Sequence, residues 1–93
     1  SLLIMLLLSV PIMAQNYQVS GTVTDSDEQA MPGVSISVKN GTGGTSTDFD
    51  GRYTLQVNNG DVLIFTSVGF ETQEITMDGL TTVNVVMLSG VSL

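Results

Sequence analysis

The chain has 93 residues, with nine acids against two bases and no His, Cys or Trp. It therefore lacks a Ser-His or Cys-His nucleophile pair, a thiolate or imidazole metal site, and any disulfide framework. A formal net charge of −7, with Lys39 and Arg52 as the only cations, cannot supply the cationic face that phosphate backbones require, so no nucleic-acid partner is expected.

The first segment, Ser1 to Ala14, is apolar and carries no charge. It is too short for a membrane-spanning helix of ~20 apolar residues and suits the h-region of a secretory leader, about 7–15 residues long. Pro11 breaks the leader helix, and Ala14 provides the small residue a signal peptidase needs before its cut, so the mature chain is expected to start at Gln15. Ile12 is bulkier than usual for that site, and no basic n-region precedes the apolar run, so the sequence is expected to begin within the leader. No Cys follows, which excludes a lipidated N-terminus. The alternative, a buried helix over Leu2–Leu8, would have no polar face for water.

Past Gln15 the apolar residues recur at every second position, the period of a half-buried strand. Val19 and Val23 alternate with Ser and Thr; Val34, Ile36 and Val38 with Ser35, Ser37 and Lys39; Tyr53, Leu55 and Val57 with Arg52, Thr54 and Gln56, and these eight apolar residues are expected in the core. The run Val62-Leu63-Ile64-Phe65 is apolar on both faces, which predicts a strand at the centre of a sheet, covered on each side. Its expected core members are Val62, Ile64 and Phe65. Ile75 and Met77 form a weaker segment, and Val83, Val85 and Met87 close the series, with Val83 and Val85 joining the expected core.

Turn signals separate these runs: an acidic stretch at Asp25 to Glu28, Pro32-Gly33, the glycine-rich segment from Asn40 to Gly44, Asp50-Gly51, Asn58 to Asp61, and Asp78-Gly79. Gly, Asn and Asp suit the backbone of tight turns, whereas β-branched residues favour the pleated strand. Six or seven short strands in so short a chain, with no 3.6-residue period, predict an all-β Greek-key sandwich. A domain of this size buries only about 60–65% of its unfolded surface, so every core strand matters to stability.

The best metal candidate is Ser46-Thr47-Asp48-Phe49-Asp50-Gly51, where acids alternate ahead of a Gly as in a calcium loop. It fails the full pattern: Ser46 occupies the first ligand position and Val57 stands where the bidentate Glu belongs. Asp48 and Asp50 are therefore weak metal candidates and are better read as turn residues. Gly41, Gly43 and Gly44 invite a phosphate-loop reading, but no Gly-Lys-Ser/Thr and no helix follow. Paired carboxylates able to act on a glycoside are expected only by chance, because the acids fall in turns or, for Glu71 and Glu74, on a polar face. No catalytic residue, cofactor or metal is expected.

Four blocks, in this order, resemble a known family. They are Val19-Ser20-Gly21-Thr22-Val23-Thr24-Asp25, then Met31-Pro32-Gly33-Val34 running on to Lys39, then Gly44 to Leu55 with Asp50-Gly51-Arg52-Tyr53 at its centre, and Phe65 to Gln73 around Val68-Gly69-Phe70. The chain is similar to the carboxypeptidase-regulatory-like domain, above all the version at the N-terminus of SusC/RagA-type TonB-linked outer-membrane proteins of Bacteroidota-like bacteria. The departures are Ile12 and the pair Ala30-Met31, where a polar-Leu pair is more usual.

The resemblance implies a seven-stranded, transthyretin-like sandwich over residues 15–88, after a leader over 1–14 and before a linker starting at 89–93. It implies a non-catalytic role on the periplasmic face of the outer membrane, ahead of a TonB box, a plug and a barrel that imports glycans or peptides. The implied partners are the plug and barrel of the same parent chain and, through the parent, the TonB energising complex and a surface lipoprotein. Edge strands of such a sandwich could accept a partner strand. Gly21, Pro32, Gly33, Asp50, Gly51, Tyr53, Gly69 and Phe70 are the expected structural motif, with Tyr53 anchoring the core and Gly69 permitting a bulge where Phe70 re-enters. The competing reading is the same sandwich as a spacer or ligand-binding module of another exported surface protein or peptidase.

Overall fold

The computed structural model describes residues 16–90; the expected leader and its Ala14/Gln15 boundary lie outside the described residues. Seven strands form in chain order: β1 (Asn16–Asp25), β2 (Ser35–Val38), β3 (Gly44–Ser46), β4 (Arg52–Asn58), β5 (Val62–Thr66), β6 (Gln73–Thr76) and β7 (Val85–Met87). They build one sheet of order β4-β1-β7 and a second of order β3-β2-β5-β6. All neighbours are antiparallel except β1 and β7, which run parallel with Val23 opposite Val85 and Asp25 opposite Met87. The all-β, seven-stranded architecture expected from the sequence is the one observed.

One core joins the two sheets. Val19, Val23, Tyr53, Val57, Val85 and Met87 come from the first sheet, and Ile36, Leu63 and Phe65 from the second. Met31, Val34, Met77 and Val83 close it from the flanking segments. The Tyr53 and Phe65 rings meet edge to face across the layers, with centroids 5.6 Å apart at 76°, the geometry that sets a ring's positive edge against its neighbour's negative face.

The β5 run corrects the sequence reading. Leu63 and Phe65 point inward and are fully buried, while Val62 and Ile64 lie on the outer face and are half-buried. The strand is central in its sheet, between β2 and β6, but in a two-layer sandwich only one face meets the core. An all-apolar run cannot reveal which face that is. Val38 and Leu55 are likewise partly buried and packed against the core, not inside it. Met31, Leu63, Met77 and Met87 are buried and were absent from the expected core.

Strand β3 carries no signal of its own, since Gly44-Thr45-Ser46 has no apolar residue. It is held by register, Ser46 to Ser35 and Gly44 to Ser37, and by the glycine-rich hairpin, where the Val38 N–H donates to the Gly43 carbonyl at 3.1 Å and the Gly41 N–H to Val38 at 3.0 Å. Ordered pairing also runs past residue 88. Ser89 bridges to Phe70, and the Gly90 N–H donates to the Gly69 carbonyl at 2.9 Å.

Candidate functional site

Six of the family-like motif residues, Gly21, Pro32, Gly33, Asp50, Gly51 and Tyr53, gather where β1, the loop from Met31 to Val34 and the turn ahead of β4 converge. In the turn Met31-Pro32-Gly33-Val34, Pro32 occupies the position where its fixed φ is useful, and Gly33 takes φ +75°, the value a type II turn demands at its third residue. The turn is not closed by its own backbone. The buried Thr47 hydroxyl lies in the gap, donating to the Met31 carbonyl at 2.6 Å and accepting from the Val34 N–H at 2.9 Å. The main chain of Thr47 adds two bonds, its N–H to the Val34 carbonyl at 3.0 Å and its carbonyl from the Gly33 N–H at 3.1 Å.

Asp48 begins the next turn. Its Oδ1 accepts from the N–H groups of Asp50 and Arg52, both at 2.9 Å, while the Gly51 N–H donates to the Asp48 carbonyl at 2.9 Å. This is an Asx turn, in which the carboxylate stands in for a backbone acceptor. Asp50 is exposed beside it, and Phe49 between the two acids is 89% exposed. Asp25 makes the same kind of turn, accepting from Asp27 and Gln29, whereas Asp61 reaches back along the chain to accept from the Asn58 N–H. Among the described residues no three His, Cys, Asp or Glu side chains lie close enough to hold a metal ion together.

Gly21 and Tyr53 face each other in register across β1 and β4. The Tyr53 hydroxyl donates to the Val83 carbonyl at 2.6 Å. That same carbonyl lies against Gly21 so closely that a Cβ there would overlap it. The adjoining gap in the β1–β7 ladder is filled by the Asn84 side chain, whose Oδ1 accepts from the Thr22 N–H at 2.9 Å and the Thr22 hydroxyl at 3.2 Å. Burial pushes the Tyr53 phenol up to about 12, because the anion would lose its hydration.

Gly69 and Phe70 lie in the segment joining β5 to β6. Ser67 to Phe70 forms a four-residue turn closed by the Phe70 N–H on the Ser67 carbonyl at 3.0 Å, not a bulge. Phe70 then packs against the core, and Glu71 donates its N–H to the Leu88 carbonyl at 2.8 Å. An open depression of about 480 Å³ lies between this turn and the Pro32-Gly33 turn, lined by Gly33, Ser35, Thr66, Ser67 and Val68, none of them titratable. Among the described residues every buried side-chain nitrogen and oxygen has a hydrogen-bond partner. The arrangement fastens two sheets together, and its buried polar groups are consumed in doing so.

This constellation of a Pro-Gly turn, an Asp-x-Asp-Gly-Arg-Tyr turn and a Gly-Phe turn around one core tyrosine spans the stretch matched by the family model for the CarboxypepD_reg-like domain, residues 19–90. The chain belongs to the CarboxypepD_reg-like domain family. It is 42% identical over 85 residues to TonB-dependent receptor P3 of Formosa agariphila, covering 89% of this chain and 8% of the relative. It is 37% identical over 68 residues to TonB-dependent receptor SusC of Bacteroides thetaiotaomicron, covering 73% of this chain and 7% of the relative. TonB-dependent receptor P26 of Formosa agariphila is 42% identical over 69 residues, covering 74% and 7%. The chain thus spans less than a tenth of the length of these receptors.

Within the CarboxypepD_reg-like domain, the sequence reading assigns no joint to the Thr47 hydroxyl, the Val83 carbonyl or the Asn84 side chain, although they complete the joints made by Gly33, Tyr53 and Gly21. A signal for Thr47 existed. Continuing the β3 alternation, with Ser46 opposite Ser35 on the outer face, points residue 47 inward. Asn84 looked like an ordinary polar residue between two valines, and only the broken ladder shows its role.

Proposed function

We propose that this domain is a non-catalytic accessory module near the N-terminus of a TonB-dependent outer-membrane importer, on the periplasmic side, and that the parent takes up glycans or peptides. The observation that carries the reading is the pairing of a match over nearly the whole described domain with relatives named TonB-dependent receptors that are more than ten times longer than the matched stretch. The chemistry supports it. The Asp48 Oδ1 caps a turn, while the Thr47 hydroxyl closes another and the Tyr53 phenol is buried on a carbonyl, so neither of these two hydroxyls is presented to a substrate.

In this reading the plug and barrel of the parent chain are the immediate partners, and the TonB complex and a surface lipoprotein are reached through the parent. The experiment is deletion of residues 17–88 from the parent gene, with receptor abundance in the outer membrane and nutrient uptake measured together. The expected result is an inserted receptor with reduced uptake. Unchanged uptake and unchanged co-purification of partners would remove the accessory role.

A further inference from the structure

The two ends of the sandwich present different surfaces. Around Asn16 the turns are polar, built from Asn40, Asn58, Asn59 and Asp78, with the half-exposed Leu80 the large exposed apolar residue there among the described residues. Around Gly90 two turn tips are apolar and bare: Phe49 is 89% exposed and Val68 99%. Both sit at the second position of a four-residue turn, closed by Gly51 on Asp48 and by Phe70 on Ser67. That position accepts most residues, so the turns do not require an aromatic or a Val there. The tips are linked across one surface, since Gly33 bonds Thr47, two residues from Phe49, and shares the open depression with Val68.

Charge defines what could cover this end. Asp25, Asp27, Glu28, Asp48, Asp50 and Glu71 surround it, against Arg52, whereas Lys39 lies toward the other end and pairs with Glu74 at 3.2 Å. An anionic membrane or a second copy of the same end would meet like charge. A protein surface with an apolar hollow rimmed by Lys or Arg would meet its complement. The path of the chain selects among such surfaces. At Gly90 the backbone is bonded to Gly69, beside Val68, so whatever the receptor builds next starts at this end.

We infer that the Phe49–Val68 end is the face by which the domain docks on the next folded unit of its own receptor chain, the two apolar tips entering a hollow rimmed by cationic side chains. The inference rests on the receptor reading above and names the partner surface within it. Buried aromatic and aliphatic anchors surrounded by charged rims are the usual carriers of interface affinity, and the acidic rim makes the contact sensitive to salt.

The test uses the full-length receptor in its native outer membrane, with a photo-crosslinking benzophenone side chain introduced at position 49, at 68, or at 59 on the opposite end. Crosslinks from 49 and 68 are expected to join peptides of the same receptor C-terminal to Gly90, in yields about tenfold above those from 59, as for positions at the centre of an interface. Combining Phe49→Ser with a probe at 68 should lower that yield severalfold, while thermal unfolding of the domain stays unchanged because both sites are exposed. Crosslinks to a second copy, to lipid or to a different polypeptide, or equal yields at 59, would overturn the inference. Deletion of residues 17–88 keeps the two readings apart. Impaired uptake without crosslinks at 49 and 68 removes the docking face and leaves the accessory role, whereas unaffected uptake removes the role itself.

Discussion

Each end of the sandwich is tied by a tyrosine hydroxyl, and the two ties differ in what surrounds them. Toward the Asn16 end, Tyr17 donates to the Asn59 side chain at 2.9 Å and accepts from the Gly79 N–H at 3.1 Å, all in contact with water. Toward the Gly90 end, Tyr53 is buried and donates to the Val83 carbonyl, and the buried Thr47 hydroxyl bridges the Met31–Val34 turn. Water can replace a broken bond at the first tie and cannot reach the second. The same kind of bond therefore stabilises unequally, because the loss of a buried partner leaves the other group desolvated and unpaired.

The sharpest way to break this comparison is to disturb one glycine at each end. Gly21→Ala drives a methyl group into the Val83 carbonyl and should cost about 3 kcal/mol or more, the upper range for overpacking against backbone. Gly60→Ala, where nothing lies within 4 Å of the added carbon but φ is +91°, should cost only about 1–2 kcal/mol of left-handed strain. Urea midpoints at constant slope measure both, and equal losses would refute the contrast.

Alkaline titration comes next. The folded Tyr53 phenol is raised to about 12 from its ordinary 10.0, so between those values the unfolded chain gives up a proton that the folded chain keeps. Stability is full below pH 10 and declines as pH rises toward 12, by up to roughly 2.5 kcal/mol. Tyr53→Phe should abolish that component of the decline. A parallel decline in the variant would mean the phenol is not the group responsible.

Thr47→Val retains the shape and removes the hydroxyl, leaving the Met31 carbonyl and the Val34 N–H without the partner they share; a loss of about 2 kcal/mol is expected, and Thr47→Ser should restore most of it. The smallest effect belongs to the exposed tie. Asn59→Ala should change stability by about 0.5 kcal/mol or less, as for surface substitutions in general. A loss there matching that of Thr47→Val would erase the distinction between the ends.

How much of this was legible depended on whether a residue's role was local. Alternation placed Val19, Val23, Ile36, Tyr53 and Val57 in the core because a period of two requires no knowledge of the partner strand. It failed at Val62, Leu63 and Ile64 because four consecutive apolar residues contain no phase, and at β3 because three small residues contain no hydrophobic signal. Met31 and Met77 were missed for a related reason: they lie just outside strands, where the pleat no longer sorts inside from outside. The turn chemistry of Asp48 and Gly33 was readable from residue type. What closed the Gly33 turn was not, since the Thr47 hydroxyl acts 13 and 16 positions away, and the Val83 carbonyl that receives the Tyr53 hydroxyl belongs to no motif.

The parallel alignment of β1 with β7 has a mechanical consequence. The backbone arrives at one end along β1 and departs at the other along β7, so a pull on its two extremities would slide these neighbours past each other lengthwise. Their shared bonds would then bear the load together instead of parting one after another like a zipper. A tether built this way lengthens little under tension until the whole ladder gives.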